Sequence, residues 1–386
     1  MEIKNAHFTD IKSVIEALKP GYPVYCLHPA DLERTAKMYL ENFPGRILYA
    51  VKCNPHPVVL KSLYNAGIRH FDTASLVEVA TVRENFTDAD AYFMHPVKPR
   101  AAILSAHNVY GVAHWVIDHE NELDKMIEVT GPGNGQVVLV RIHTKSFGAA
   151  YELSDKFGTP VDQAAALLER VAQEGYQPGL AFHVGSQCRT PDAFRDAIAT
   201  VGEIAEKANT PLQYLDVGGG FPSHYVDDQP PEFIEFVEAI KDSLSKIKLR
   251  GDCVLMCEPG RGLVASGCSL LTQVHLRKDN SLYINDGIYH SLSETISGKV
   301  KYPVRAHRLE SELSEATQPY TIYGPTCDSL DILPYTIDLP EDIDEGDWIE
   351  FGQIGAYSSS LTTKFNGFLP ETFVTVDEPS LKVETD

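Results

Sequence analysis

The chain has 386 residues, 43% hydrophobic and 23% charged, a composition typical of a folded protein with a large core. Its net charge of −21 argues against nucleic acid or an anionic membrane as a partner. No apolar run reaches the roughly 18 residues of a membrane span, and the polar N-terminal segment does not resemble a secretory signal. Seven scattered cysteines without a CxxC pair favour a reduced cytoplasmic protein with no metal site.

Short apolar runs alternate with amphipathic stretches from about residue 45 to residue 260. Eight of the runs are predicted to be strands: 47–52, 70–75, 90–96, 113–119, 136–142, 179–184, 214–219 and 253–259. The stretches between them carry apolar residues at helical spacing, as in 58–67, 75–85, 160–175 and 231–247. Eight such units favour a (β/α)8 TIM-like barrel, and an open doubly wound sheet is the alternative.

The pattern changes after about residue 265, where short β-rich segments are separated by turns. These segments are 270–276, 281–287, 318–324, 347–353, 362–368 and 372–376. They predict a C-terminal antiparallel β-sandwich or barrel domain, to which the N-terminal segment 23–27 adds a strand. We therefore expect a barrel over residues 30–265 and a β domain formed by 1–29 with 266–386.

Polar side chains follow the ends of the predicted barrel strands, where (β/α)8 enzymes carry their active sites. The segment ILYAVKCNP ends its strand in Lys52, and further strands end near Asp72, Arg141, His183 and Glu258. Taken alone, each residue has an ordinary explanation. The lysine marks the point where a strand reaches solvent, the arginine is solvated, and the histidine is hydrogen-bonded within the core. Glu258 is harder to explain this way, because a carboxylate at an apolar strand end needs a partner.

Two glycine-rich segments, LDVGGGFP and EPGRG, also follow predicted strands. Glycines let backbone N–H groups approach an anion closely, and Arg261 within EPGRG is suited to a phosphate. With Lys52 and Glu258 they indicate pyridoxal 5′-phosphate, which needs a lysine for its aldehyde and a group that controls its ring nitrogen.

Ten motifs along nearly the whole chain carry a resemblance to a known family: YAVKCNP, FDTAS, KFG, FHVGSQ, LDVGGGFP, EPGRG, NDG, GPTCDSLD, GAYSSS and FNGF. In this order they resemble the fold-type III, alanine racemase-like decarboxylases, specifically the ornithine/diaminopimelate/arginine decarboxylase family. GPTCDSLD and FNGF look like the bacterial ornithine decarboxylase branch.

The resemblance implies cofactor roles for the residues at the strand ends. Lys52 would carry the cofactor covalently, His183 would stack on its ring, and Glu258 would pair with the ring nitrogen. Asp72 and Arg141 would lie beside the cofactor. The phosphate would be bound by Ser186, Gly219, Gly220, Gly260, Arg261 and Tyr357.

The resemblance also implies a head-to-tail homodimer with shared active sites. Cys327 would reach the partner's site as a proton donor, and Asp328 would receive the distal ammonium of the substrate. An ion pair between Lys156 and Asp331 would cross the interface. Tyr289 and Ser297 are further predicted substrate-binding residues.

The expected activity is α-decarboxylation of a basic diamino acid, such as L-ornithine or L-lysine, to an amine and CO2 in polyamine biosynthesis. The sequence departs from ornithine decarboxylases after NDG, because the usual second acidic position falls at Ser297 or Gly298 and is followed by Lys299. Either Glu294 or Asp328 supplies the charge, or the pocket takes a larger, N-substituted or carboxylated diamino acid, for example a siderophore precursor.

Two further classes remain as alternatives. One is a non-catalytic regulator like the antizyme inhibitors, and the other is a racemase of the same barrel class. The intact lysine, phosphate contacts and Cys327 favour an enzyme, and GPTCDSLD favours a decarboxylase over a racemase.

Overall fold

The computed structural model describes residues 6–144, 149–151 and 156–383. The strands are β1 (His7–Phe8), β2 (Val24–Leu27), β3 (Arg46–Ala50), β4 (His70–Thr73), β5 (Asp90–Phe93), β6 (His114–Ile117), β7 (Val137–Arg141), β8 (Ala149–Tyr151), β9 (Gln177–Ala181), β10 (Ser186–Cys188), β11 (Tyr214–Asp216), β12 (Val254–Cys257), β13 (Cys268–Lys278), β14 (Ser281–Ile284), β15 (Val304–His307), β16 (Thr317–Tyr323), β17 (Ile337–Pro340), β18 (Trp348–Phe351) and β19 (Thr372–Val376).

The helices are α1 (Ile11–Leu18), α2 (Pro29–Asn42), α3 (Pro57–Ala66), α4 (Leu76–Asn85), α5 (Arg100–Asn108), α6 (Glu120–Thr130), α7 (Val161–Gln173), α8 (Asp192–Lys207), α9 (Phe233–Leu244), α10 (Arg261–Val264) and α11 (Glu294–Ser297). Short 3-10 turns cover Val51–Cys53, Ala265–Gly267 and Phe365–Gly367. Within the described ranges no helix is long and apolar enough to cross a membrane. The same ranges contain no cluster of His, Cys, Asp or Glu suited to a metal ion, and all seven cysteines are free.

Eight parallel strands close into a barrel in the order β3-β4-β5-β6-β7-β9-β11-β12, and the last pairs with the first. Each strand is followed by a helix, so the predicted (β/α)8 barrel is confirmed and the open doubly wound sheet is wrong. Each of the eight predicted runs overlaps one of these strands. The barrel strands are buried on both faces: Leu48 belongs to one apolar cluster with Leu139 and Met256, whereas Ile47 and Tyr49 pack in the main core.

The remaining strands outside the barrel form a nine-stranded sheet and a separate pair of antiparallel strands. The sheet runs β1-β19-β2-β13-β14-β16-β17, and β18 pairs with β13 and β15. The predicted β domain is confirmed and includes the N-terminal strand β2. The sheet is mixed, however, because β19 runs parallel to both β1 and β2, and β14 runs parallel to β16. The separate pair is β8 with β10.

The predicted strand at 362–368 is wrong. Residues Phe365–Gly367 form a 3-10 turn in which Asn366 and Gly367 have φ angles of 53° and 81°. This left-handed backbone cannot continue a strand. The turn instead directs the Asn366 side chain toward the backbone N–H of Cys327, at 3.0 Å.

Gly355 lies where the β domain meets the barrel. Its N–H bonds the Ala265 carbonyl at 3.0 Å, and its own carbonyl accepts from Asn54 at 2.8 Å. A Cβ at Gly355 would lie 1.9 Å from the Val264 carbonyl oxygen. Because this contact is backbone to backbone, only glycine fits. The approach also carries Tyr357, two residues later, to the mouth of the barrel.

We expect Gly355→Ala to lower the free energy of unfolding by about 2 kcal/mol or more, because the extra methyl forces the two domains apart. The matched control is Gly251→Ala, since a Cβ at Gly251 would meet no atom within 4 Å. Chemical denaturation of both variants measures the difference. Equal stabilities for the two variants would contradict the assigned junction.

Candidate active site

Lys52 lies just beyond strand β3, on the turn Val51–Cys53 at the C-terminal mouth of the barrel. Strand β4 pairs with β3 so that Asp72 is opposite Ala50. The Lys52 Nζ donates to Asp72 Oδ2 at 2.7 Å, with the lysine side chain 45% exposed and the aspartate 1% exposed. Burial opposes the ammonium, but the charges of Asp72 and Glu258 outweigh it and raise the Lys52 pKa.

A cavity of about 310 Å3 opens beside the Lys52 amine. It brings together residues that are far apart in sequence but follow the ends of neighbouring barrel strands. The predicted site residues among its lining are Lys52, Arg141, Lys156, His183, Ser186, Gly220, Glu258, Gly260, Arg261 and Tyr357. Asp72 is joined to the cavity through Lys52.

The glycine-rich turn after β11 packs too closely for any side chain. A Cβ at Gly219 would lie 2.5 Å from the Glu258 carbonyl oxygen and 3.0 Å from His183 Nε2, and a Cβ at Gly220 would lie 2.4 Å from the Gly185 oxygen. Gly220 lines the cavity, so backbone without a side chain is present at this edge, which suits an anionic group of a ligand.

Arg261 begins helix α10 at the same edge and is only 3% exposed. Its guanidinium donates to Tyr225 at 3.1 Å, to Ser186 at 3.4 Å and to Glu294 at 2.5 Å. Glu294 is also 3% exposed, so the two charges form a buried pair. Burial opposes the cation, but Tyr225 and Glu294 hold the Arg261 pKa above its usual value.

His183 follows strand β9 and contacts the cavity with its ring. Its Nδ1 accepts the Gly185 N–H at 3.0 Å, which leaves the ring proton on Nε2. Burial, together with the nearby charges of Arg141 and Lys52, lowers the His183 pKa well below its usual value. The imidazole is therefore neutral and presents a flat, uncharged face suited to stacking on an aromatic ring.

Glu258 follows strand β12 and lines the same cavity as Lys52. Burial and the neighbouring carboxyls of Asp216 and Asp72 raise its pKa well above the usual value, whereas Lys52 and Arg141 act in the opposite direction. A cationic group of a ligand near Glu258 would favour its ionised form.

Tyr357 and Phe157 complete the cavity walls. Tyr357 has a left-handed backbone with φ of 53°, and its N–H bonds the Cys53 carbonyl at 3.0 Å. The Phe157 ring lies 5.5 Å from the Arg141 guanidinium carbon and 5.0 Å from the Lys156 amine. Lysine and arginine side chains therefore line this wall in contact with an aromatic ring.

A second cavity of about 550 Å3 lies in the β domain and contains the GPTCDSLD loop. Cys327, Asp328 and Asp331 line it, and none of them lines the cavity at Lys52. Asp328 accepts from the Tyr289 hydroxyl at 2.6 Å and from the Leu330 N–H at 2.9 Å, and these bonds lower its pKa. Within one chain, the predicted catalytic residues thus occupy two separate surfaces.

Asp331 is 2% exposed and fixes the shape of the GPTCDSLD loop. Its carboxylate accepts from the Ile288 N–H at 3.0 Å, the Thr326 N–H at 3.1 Å and the Thr326 hydroxyl at 2.7 Å. Asp331 is thus engaged within its own subunit, and its predicted ion pair with Lys156 of a partner remains a prediction.

The predicted specificity segment lies on and after helix α11. Ser297 is exposed, and its hydroxyl donates to the Ser293 carbonyl at 3.1 Å and to Glu294 at 3.2 Å. Gly298 is buried, and Lys299 is exposed with φ of 52°. None of these three residues lines the cavity at Lys52. Glu294 is bonded to Arg261, so it is engaged away from a distal ammonium.

Three contacts of the site were missing from the sequence prediction. Tyr225 and Glu294 bind Arg261 from 36 and 33 residues away in sequence, which no local motif indicates. Asp216 ends strand β11 inside the glycine-rich motif and is fully buried. Its place at a strand end, like that of Glu258, is the one feature that could have identified it.

These features fit pyridoxal phosphate. The Lys52 amine can hold an aldehyde, the glycine turn offers backbone to a phosphate, and Glu258 provides the carboxyl for a ring nitrogen. Asp72 Oδ1 and Arg261 Nε are buried polar atoms without a hydrogen-bond partner among the described residues, so the site retains polar capacity for a ligand.

The comparisons with known proteins agree with this chemistry. The family described as "Pyridoxal-dependent decarboxylase, pyridoxal binding domain" matches residues 29–265. A lysine/ornithine decarboxylase of Selenomonas ruminantium is 32% identical over 343 residues, covering 86% of this chain and 84% of the relative. Antizyme inhibitor 2 of Xenopus laevis is 32% identical over 362 residues, covering 88% and 77%.

Among solved structures, the arginine decarboxylase of Paramecium bursaria Chlorella virus bound to agmatine has a TM-score of 0.84 and 28% identity. The match covers 95% of this chain and 99% of that one. The family match spans more than half of the chain and coincides with the barrel that carries Lys52. The chain therefore belongs to the pyridoxal-dependent amino-acid decarboxylases and uses pyridoxal phosphate as its cofactor.

Proposed function

We propose that this enzyme removes the α-carboxylate of a basic diamino acid, of the L-ornithine or L-lysine type, and releases CO2 and a diamine for polyamine biosynthesis in the cytoplasm. The observation that carries the proposal is the Lys52 amine held against Asp72 in a cavity that is also lined by Arg261 and Glu258. The relatives named for lysine, ornithine and arginine support a basic substrate.

The cofactor-binding roles are part of the proposal. Lys52 binds the cofactor aldehyde, and Glu258 binds its ring nitrogen. His183 covers one ring face with a neutral imidazole. The phosphate is held by Ser186, Gly219, Gly220, Gly260, Arg261 and Tyr357, with Asp72 and Arg141 beside the cofactor.

The chain's own side chains then control the proton movements. Bound pyridoxal phosphate supplies an electron sink for the pair left on Cα when CO2 departs. Cys327 of a partner subunit donates its thiol proton to Cα, so that a hydrogen replaces the lost carboxylate. Asp72 accepts a hydrogen bond from Lys52 Nζ at 2.7 Å and so would hold this amine in position for the cofactor aldehyde. Net consumption is one proton for each CO2 released.

The separation of the two cavities supports a homodimer with shared sites. Four large apolar side chains are at least 41% exposed: Leu330, Leu361, Phe365 and Phe368. Leu330 is close to Cys327 in sequence, and the other three are close in sequence to Asn366, whose side chain accepts from the Cys327 N–H. Covering them with a second subunit would bring Cys327 and Asp328 to the partner's barrel. The division into residues 30–265 and 1–29 with 266–386 is proposed on the same basis.

The first experiment is a decarboxylation screen of the cofactor-loaded protein with ornithine, lysine, arginine, diaminopimelate and N-acylated diamino acids. We expect the highest kcat/KM for ornithine or lysine, and loss of CO2 release and of the bound-cofactor absorbance in Lys52→Ala. Lys61→Ala, at an exposed site on α3, is the control. Turnover retained by Lys52→Ala would refute the mechanism, and preference for an N-acylated or carboxylated substrate would favour the alternative substrate class.

The second experiment tests the shared site by mixing two inactive variants. Lys52→Ala and Cys327→Ala should complement each other, because a mixed dimer keeps one complete site and random association yields about a quarter of wild-type activity. Lys52→Ala mixed with Glu258→Ala should remain inactive, since both changes fall in one cavity. Failure of the first mixture, with mixed dimers verified by mass spectrometry, would disprove the shared site.

The third experiment asks whether Glu294 selects the substrate. Because Glu294 pairs with the buried Arg261, Glu294→Gln should lower the free energy of unfolding by on the order of 3 kcal/mol. Glu310→Gln, at an exposed position, should have no measurable effect. Chemical denaturation and substrate KM are measured together. Unchanged stability with a raised KM for diamino acids would instead assign Glu294 to the distal ammonium.

A further inference from the structure

Asp216 is a fully buried carboxyl group for which the roles above have no use. It ends strand β11, which lies between β9 and β12 in the barrel, and it is paired in register with Met256. Two residues after Met256 comes Glu258, which faces the cofactor cavity. The two carboxyl groups therefore lie side by side, Asp216 in the interior and Glu258 at the cavity wall.

Gly218 links the two residues through its backbone. Its N–H donates to Asp216 Oδ1 at 2.8 Å, and its carbonyl accepts the Glu258 N–H at 2.8 Å. Among the described residues, no N–H or hydroxyl group donates to Asp216 Oδ2. The hydrogen-bonding side chain beside Asp216 is the Glu258 carboxyl. Two carboxylates repel each other, so this contact requires a proton on one of them.

The charged groups around the pair indicate how one proton can be shared. Burial raises the pKa of Asp216 to about 7, and burial also raises the pKa of Glu258 well above its usual value. Asp72 is a further negative charge near the pair, whereas Arg141 and Lys52 favour ionisation. A protonated ring nitrogen in the cavity would add a cation next to Glu258. This cation would favour the ionised form of Glu258, so the shared proton would reside on Asp216.

We propose that Asp216 is a positioning residue that donates a hydrogen bond from its protonated carboxyl group to Glu258. This bond orients the Glu258 carboxylate toward the ring nitrogen of the cofactor without adding a second buried negative charge. The inference deepens the proposed function, since it assumes that Glu258 binds the ring nitrogen. A neutral buried acid is stable here because burial penalises its ionised form.

The test compares Asp216→Asn with Asp216→Ala. An asparagine keeps a neutral hydrogen-bond donor of the same shape, whereas alanine has none. We expect Asp216→Asn to retain the wild-type dissociation constant for pyridoxal phosphate and the wild-type pH dependence of bound-cofactor absorbance. Asp216→Ala should weaken cofactor binding by on the order of tenfold or more and shift the absorbance profile. Asp216→Val, which fills the space without a donor, replaces Ala if that variant does not fold.

Glu350→Gln is the matched control, because Glu350 is a buried carboxyl in the sheet domain that pairs with His307 at 3.0 Å. It should lower thermal stability and leave cofactor affinity unchanged. Asp216→Asn behaving like Asp216→Ala would overturn the proposal, as would wild-type affinity in both variants. Cofactor titration needs no substrate. Failure of the decarboxylation screen would therefore reject the proposed function, and the cofactor affinities of the Asp216 variants could still be interpreted.

Discussion

The buried carboxylate of Asp72 is the constraint on which the candidate active site depends. Only 1% of its side chain is exposed, and a carboxylate in such surroundings is costly without a cation. The register of β3 and β4 sets Asp72 opposite Ala50, so barrel closure brings the Lys52 amine within 2.7 Å. The ion pair fixes the amine at the mouth of the barrel, and the glycine turn, His183 and Glu258 are arranged around that point.

Charge is divided between two surfaces of the chain. The barrel cavity has four cationic side chains, Lys52, Arg141, Lys156 and Arg261, with Glu258 as the acid in its lining. The second cavity carries the acids Asp328 and Asp331 together with Cys327. A diamino acid has a carboxylate at one end and a distal ammonium at the other, so each surface is complementary to one end only. This division supports the proposed site that two subunits complete.

The barrel could be predicted from sequence because strands buried on both faces leave short continuous apolar runs. Lys52, His183 and Glu258 were identifiable for a related reason, since a polar residue at the end of such a run needs an explanation. The contacts of Arg261 with Tyr225 and Glu294 were not, because they join residues 36 and 33 positions apart. At 362–368 the aromatic residues suggested a strand, although the pair Asn366-Gly367 is typical of a turn. The structure has a 3-10 turn at this pair.

The pairing of Glu294 with Arg261 changes how substrate selection is understood. The carboxylate nearest to the predicted specificity segment is buried against Arg261, while Ser297 and Gly298 carry no charge. In the proposed mechanism Asp328 is the acid for the distal ammonium, and its bonds to Tyr289 and Leu330 lower its pKa. One carboxylate attracts an ammonium but imposes little geometric restriction on chain length. In the proposed homodimer, discrimination between ornithine and lysine would come from the distance between Lys52 and Asp328 of the partner subunit, which the packing of the two subunits sets.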